Sequence, residues 1–88
     1  FNTDLQLTHE QSEIEKSRKL LRKDDEIIAL RKRVKQAGES KYKNGVYPLH
    51  ELIRDIHAEE EARQTKALHE IQYLLHIYTY KHRKGSEN

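Results

Sequence analysis

His50 and His57 stand seven residues apart, as do His69 and His76, and a Glu follows the first histidine of each pair: His50-Glu51 and His69-Glu70. On a helix each pair shares a face, and imidazole with carboxylate is the donor set of a transition-metal site. Two turns also separate the rings by about 10 Å along the axis, too far for one ion without further ligands. Neither His-Glu pair completes HExxH, because Leu52-Ile53-Arg54 follows the first and Ile71-Gln72-Tyr73 the second. Solvated or partly packed imidazole is therefore the expectation, with no metal site.

Other chemistry is scarcer still. There is no Cys to act as nucleophile or thiolate ligand, and no Gly-rich phosphate loop. The carboxylates lie in runs beside Lys and Arg, where they stay ionised and hydrated. The sequence predicts no catalytic residue, no cofactor and no enzyme. Seventeen Lys and Arg against fifteen Asp and Glu leave a net charge of only +2, which is no polyanion-binding excess. The basic groups Arg18-Lys19, Arg22-Lys23 and Arg31-Lys32-Arg33 with Lys35 resemble a nucleic-acid-binding arm, but Asp24-Asp25-Glu26 interrupts them and Glu59-Glu60-Glu61 answers them. No nucleic-acid partner is expected. No apolar run approaches the roughly 20 residues of a membrane-spanning helix, so this segment is expected to make no direct membrane contact.

The elements that must position these side chains are two helices. Leu7, Ile14, Leu21 and Ile28 recur every seven residues, and Leu20, Ile27 and Val34 repeat that interval one position earlier. Such a repeat marks a helix packed lengthwise along another. Thr3 with Gln6, or Thr8 with Gln11, has the spacing of a capping box near its start. Asn44-Gly45 followed by Pro48 is turn chemistry, since Gly and Asn tolerate positive φ and Pro suits a first helical position. A second apolar stripe opens at Leu49, Leu52, Ile53 and Ile56 and resumes through Ala67, Leu68, Ile71, Leu74, Leu75 and Tyr78. Between them, residues 59–66 offer only Ala62 as an apolar contact. Gly38 inside the first arm costs about 1 kcal/mol relative to Ala and invites bending or fraying.

The expected fold is all-α: an antiparallel two-helix coiled-coil hairpin with its tip near Asn44-Gly45, arm 1 at about 3–42, the tip at 43–48 and arm 2 at about 48–84. Folding back at the tip sets Leu21 against Leu68, Ile14 against Leu75, Ile27 against Ala62 and Val34 against Ile56. The charges follow: Arg31-Lys32-Arg33 across from Glu59-Glu60-Glu61, Asp24-Asp25-Glu26 across from Arg63 and Lys66, and Arg18 and Lys19 across from Glu70. With 34% apolar and 36% charged residues in 88, the chain is poor material for a core of its own. Self-association, or packing within a larger parent, is expected. The start, Phe1-Asn2-Thr3-Asp4, reads as an excerpt from a longer protein.

Tyr42, Gly45, Pro48, Glu51, Leu52 and Ile53, followed without a gap by Ala62, Ala67, Tyr73, Leu74 and Gly85, match the spacing of one helix and its turn in the TolC-type outer-membrane efflux proteins. From Tyr42 onward the chain resembles that family. Pro48 stands where the family usually has a hydroxyl-bearing residue, and Arg54-Asp55 where it often has an acidic or polar residue and then Ala. The resemblance implies a homotrimeric parent in the cell outer membrane, whose helical hairpins form a periplasmic tunnel for export. It implies a tip, here Tyr42, Lys43, Asn44, Gly45, Val46 and Tyr47, that meets a periplasmic adaptor joining the channel to an inner-membrane pump. It places Glu51 at the pore constriction; Arg54, a departure from the family pattern, stands at i,i+3 where helical spacing lets it neutralise Glu51. The residues alone leave a second reading open, a cytosolic coiled-coil scaffold or interaction module, because heptads do not distinguish a tunnel wall from a dimerisation rod.

Overall fold

The computed structural model describes residues 3–85 and consists of two helices, α1 (Thr3–Lys43) and α2 (Leu49–Gly85), with no strand among the described residues. The chain is an antiparallel two-helix hairpin, all-α. The turn is a Schellman motif. Gly45 adopts φ 76°, its N–H donates to the Tyr42 carbonyl at 3.0 Å, and the Val46 N–H reaches back to the Lys41 carbonyl at 3.0 Å. Those bonds satisfy carbonyls that the end of α1 would otherwise leave bare. Pro48 sits one residue ahead of α2 rather than at its first position, and its carbonyl accepts from the Glu51 and Leu52 amides at 3.1 and 3.2 Å.

The start of α1 differs from expectation. Thr8 lies inside the helix, with its hydroxyl donating to the Asp4 carbonyl at 2.9 Å, so it caps nothing. The Thr3 side chain lies outside the described residues. Among those described, no helix is long and apolar enough to cross a membrane.

The hairpin divides into two compact units. The tip unit is Lys23–Lys66, and the terminal unit pairs α1 up to Arg22 with α2 from Ala67. In the tip unit, Ile28 and Leu52 are the buried apolar side chains, and Asp24, Glu59 and Gly38 are buried with them. Ile56, Ala62, Lys35 and Lys66 are half-buried. In the terminal unit the buried residues are Glu10 and Ser17, flanked by half-buried Leu7, Ile14 and Leu21 from α1 and His69, Tyr73, His76 and Tyr80 from α2.

The expected stripe Leu7, Ile14, Leu21 and Ile28 thus faces the seam, as do Leu52 and Ile56, but polar residues are buried among them and the expected cross-helix pairs do not form. Leu68 and Leu75 are 61% and 60% exposed, so they do not meet Leu21 and Ile14. Ile27 and Val34 are also exposed, and do not close on Ala62 and Ile56. Gln11 reaches Tyr80 and Asp25 reaches Lys66, two residues further along α2 than the mirror register, and Lys35 reaches Glu59, five further. On α2 this sets Leu68 and Leu75 outward while Leu52 and Ile56 stay toward the seam. Leu52, Glu59, Lys66, Tyr73 and Tyr80, spaced by seven, come inward.

Candidate functional site

The tip begins with residues exposed for purely local reasons. A positive-φ glycine closes the turn within two residues, leaving too little chain to cover itself, so Tyr42, Lys43, Asn44, Gly45 and Val46 are all exposed, Val46 by 72%. Leu49 and Ile53 extend the apolar surface onto the first turns of α2. Tyr47 behaves differently from the other tip residues. It is half-buried and folds back, its hydroxyl donating to Asp55 Oδ2 at 2.8 Å. That bond, followed by burial, holds the Tyr47 hydroxyl above its ordinary pKa. The Lys41 ammonium lies 5.7 Å from the centre of the same ring, within cation–π range.

Gly38 explains how the ring gets there. It is buried, and a Cβ built on it would stand 2.6 Å from Asp55 Oδ2 and 3.0 Å from Tyr47 Cε2. Gly38 is therefore a point of close approach rather than a place of bending, and α1 runs through it unbroken to Lys43. The sequence held a signal for this cluster in Asp55, which departs from the resembled pattern, but nothing in the spacing joined it to Tyr47 and Gly38.

Glu51 is half-buried, with Arg54 Nη1 at 3.5 Å and His50 Nε2 at 3.4 Å. The i,i+3 pairing with Arg54 is the one the spacing implied, and both Arg54 and His50 are largely in water, where such contacts contribute little. His50 and His57 do share a face, lining a shallow groove with Ile53, Arg54, Ala58 and Glu61. Among the described residues no group of three or more His, Cys, Asp or Glu is placed to hold a metal ion.

Further from the turn, the tip unit buries a carboxylate with two cations. Glu59 takes Arg63 on Oε2 at 2.6 Å from its own helix, and the Lys35 ammonium lies 2.8 Å from Oε1 across the seam. Lys35 meets Oε1 as a point charge rather than along a directed hydrogen bond. Lys35 and then Arg63 hold the Glu59 carboxyl below its ordinary pKa, and Glu59 in turn raises that of Lys35. This replaces the expected pairing of Glu59 with the run Arg31-Lys32-Arg33, all three of which are exposed. Lys66 does reach the acidic run, with Nζ 2.6 Å from Asp25 Oδ1.

In the terminal unit the pairing is looser. Glu10 is buried, yet the contacts it makes are with the His76 imidazole Nδ1 at 3.8 Å and Arg83 Nη2 at 3.9 Å, and Oε2 accepts no hydrogen bond. Arg18 pairs with Glu15 on its own helix at 2.8 Å and with the Tyr73 hydroxyl on α2, rather than with Glu70. The outward face of this unit carries Leu68, Ile71, Leu74, Leu75 and Tyr78, each more than half exposed. In the tip unit Ile27, Leu30 and Val34 are likewise exposed.

No family model matches the chain, and no curated protein or solved structure matches it.

Proposed function

We propose that this chain is a periplasmic tunnel hairpin of a TolC-like outer-membrane channel in a tripartite efflux or secretion system. The parent is a homotrimer, and the tip docks the periplasmic adaptor that joins it to an inner-membrane pump. The observation that supports this reading is the orientation of the apolar heptads. A free-standing two-helix rod turns its apolar stripes toward each other, whereas this chain, besides the seam of Leu7, Ile14, Leu21, Ile28 and Leu52 interleaved with Glu10, Ser17, Asp24 and Glu59, turns a second stripe of Leu68, Ile71, Leu75 and Tyr78 outward. Outward stripes are what a wall of laterally packed hairpins needs, since each helix then has neighbours on both sides. The exposed Tyr42, Val46 and Leu49 at the tip add an apolar surface that a plain turn does not require.

The same stripes serve a cytosolic scaffold equally well, so the test combines location with mechanics. The protein carrying this segment fractionates with the outer membrane, and Ile71→Cys cross-links neighbouring hairpins there. Gly45→Val, which forces a β-branched residue to φ 76°, abolishes export while leaving far-UV helicity nearly unchanged. A protein confined to the cytosol, or export that survives Gly45→Val, overturns the proposal.

A further inference from the structure

The tip loop is short and mostly wet, and a loop of that kind ordinarily samples several conformations. Of residues 44–48, Tyr47 is the one drawn inward. Three features converge on it. Its hydroxyl is bonded to Asp55 at 2.8 Å. Its ring edge lies against the bare Cα of Gly38, so closely that a methyl group would stand 3.0 Å from Cε2. Lys41 sits near the ring at 5.7 Å. The contacts come from α1 and α2 onto a residue of the loop, so a single side chain ties all three elements of the turn together.

We propose that Gly38, Tyr47 and Asp55 form a latch that holds the tip loop in one conformation, and that breaking it frees the segment carrying Val46. The parts depend on one another. The Asp55 oxygen that receives the Tyr47 hydroxyl is also the atom nearest the missing Cβ of Gly38. A side chain at position 38 must displace that oxygen, the ring, or both. Release leaves the body of both helices in place, because their backbone ladders and the carbonyl cap of Pro48 do not involve Tyr47, but it loosens the turn bonds from Asn44 N–H to Ser40 and from Val46 N–H to Lys41. The latch therefore controls how rigidly Val46 is presented, without controlling whether the hairpin exists. It goes beyond the tunnel reading and stands without it.

Amide hydrogen exchange on the 88-residue chain tests this. The Asn44 and Val46 amides donate to the Ser40 and Lys41 carbonyls and report opening of the loop. Tyr47→Phe removes the bond to a charged acceptor and keeps the ring; it speeds exchange at those amides by roughly tenfold. Asp55→Leu does the same, while Asp55→Asn, which retains an acceptor oxygen, gives a smaller change. Gly38→Ala supplies the sharpest sign. In an ordinary helix interior Ala is favoured over Gly by roughly fivefold in the local equilibrium, which would slow exchange, but here it speeds exchange at Asn44 and Val46. Combining Gly38→Ala with Tyr47→Phe adds little to the larger single effect, as expected of one unit. Amides of the terminal unit are unchanged throughout. Unaltered exchange in Tyr47→Phe, slower exchange in Gly38→Ala, or equal acceleration in both units with Tyr47→Phe overturns the latch.

Discussion

The two units are built from the same two helices but bury different residues. The tip unit has its own small core in Ile28 and Leu52, a glycine that lets an aromatic ring close the turn, and a buried carboxylate held by two cations within 2.8 Å. The terminal unit buries Glu10 and Ser17, holds its buried carboxylate through contacts of 3.8 and 3.9 Å, has no buried large apolar side chain among the described residues, and leaves Leu68, Ile71, Leu74, Leu75 and Tyr78 more than half exposed. Hydrophobic stabilisation scales with apolar area removed from water, so the first unit draws its stability from within. The second buries less apolar surface of its own. Under the proposed tunnel reading, companions along the shaft would cover its outward stripe.

Removing the outward stripe of the terminal unit breaks the contrast most completely. Ile71→Glu with Leu75→Glu places charge on the apolar face and lowers self-association by at least tenfold, read by sedimentation equilibrium, with little loss of tip-unit exchange protection. Association that survives shows that the contacts lie elsewhere. Leu52→Ala comes next. It empties the best-buried apolar position of the tip unit, which is 8% exposed, and should cost about 2 kcal/mol in thermal or denaturant unfolding. Leu68→Ala, on an exposed residue of the terminal unit, should cost far less in the monomer. Equal losses would erase the distinction between the units.

The buried carboxylates sharpen the comparison further. Glu59 titrates below its ordinary value in the folded chain, so its pairing stabilises the tip unit fully above about pH 4.3 and is lost as pH falls through the depressed folded value. Lys35 is raised, so its share is present below about pH 10.4 and is lost as pH rises through the raised value. Glu59→Gln should flatten the acid limb of tip-unit stability, measured as melting temperature against pH. An unchanged limb would assign it to other groups. The smallest effect has the opposite sign. Glu10→Leu replaces a buried charge that lacks close partners, and should stabilise the terminal unit by about 1 kcal/mol, whereas Glu59→Leu strands Lys35 and destabilises the tip unit. Destabilisation by Glu10→Leu would show that His76 and Arg83 hold Glu10 more firmly than their distances indicate.

Much of the tip was legible because its determinants are local. Asn44-Gly45 and Pro48 specify a turn through φ preference and a missing N–H, and the turn falls there with Gly45 at positive φ. The pairing of Arg54 with Glu51 followed from helical spacing alone. The latch was not legible, because Gly38 carries no side chain to advertise what it receives. Read locally, a mid-helix glycine is a weak point, and only the arrival of Tyr47 and Asp55 makes it a contact. The polar residues of the seams were missed for a related reason. Glu10, Ser17, Asp24 and Gly38 are all separated by multiples of seven, but hydrophobicity draws the eye to the apolar repeats beside them.

What the amino-acid order determined by itself is the pair of long helices, the place where they reverse and the presence of more than one heptad stripe on each. Which stripe faces the partner helix was decided only by tertiary structure. Each helix presents its competing faces at once, and choosing between them is a matter of register. That choice sums small terms over the whole length of contact, including close approach at Gly38 and Ser17, ion pairs at Glu59 and Asp25, and Tyr80 bonded to Gln11. No short window of sequence contains that sum.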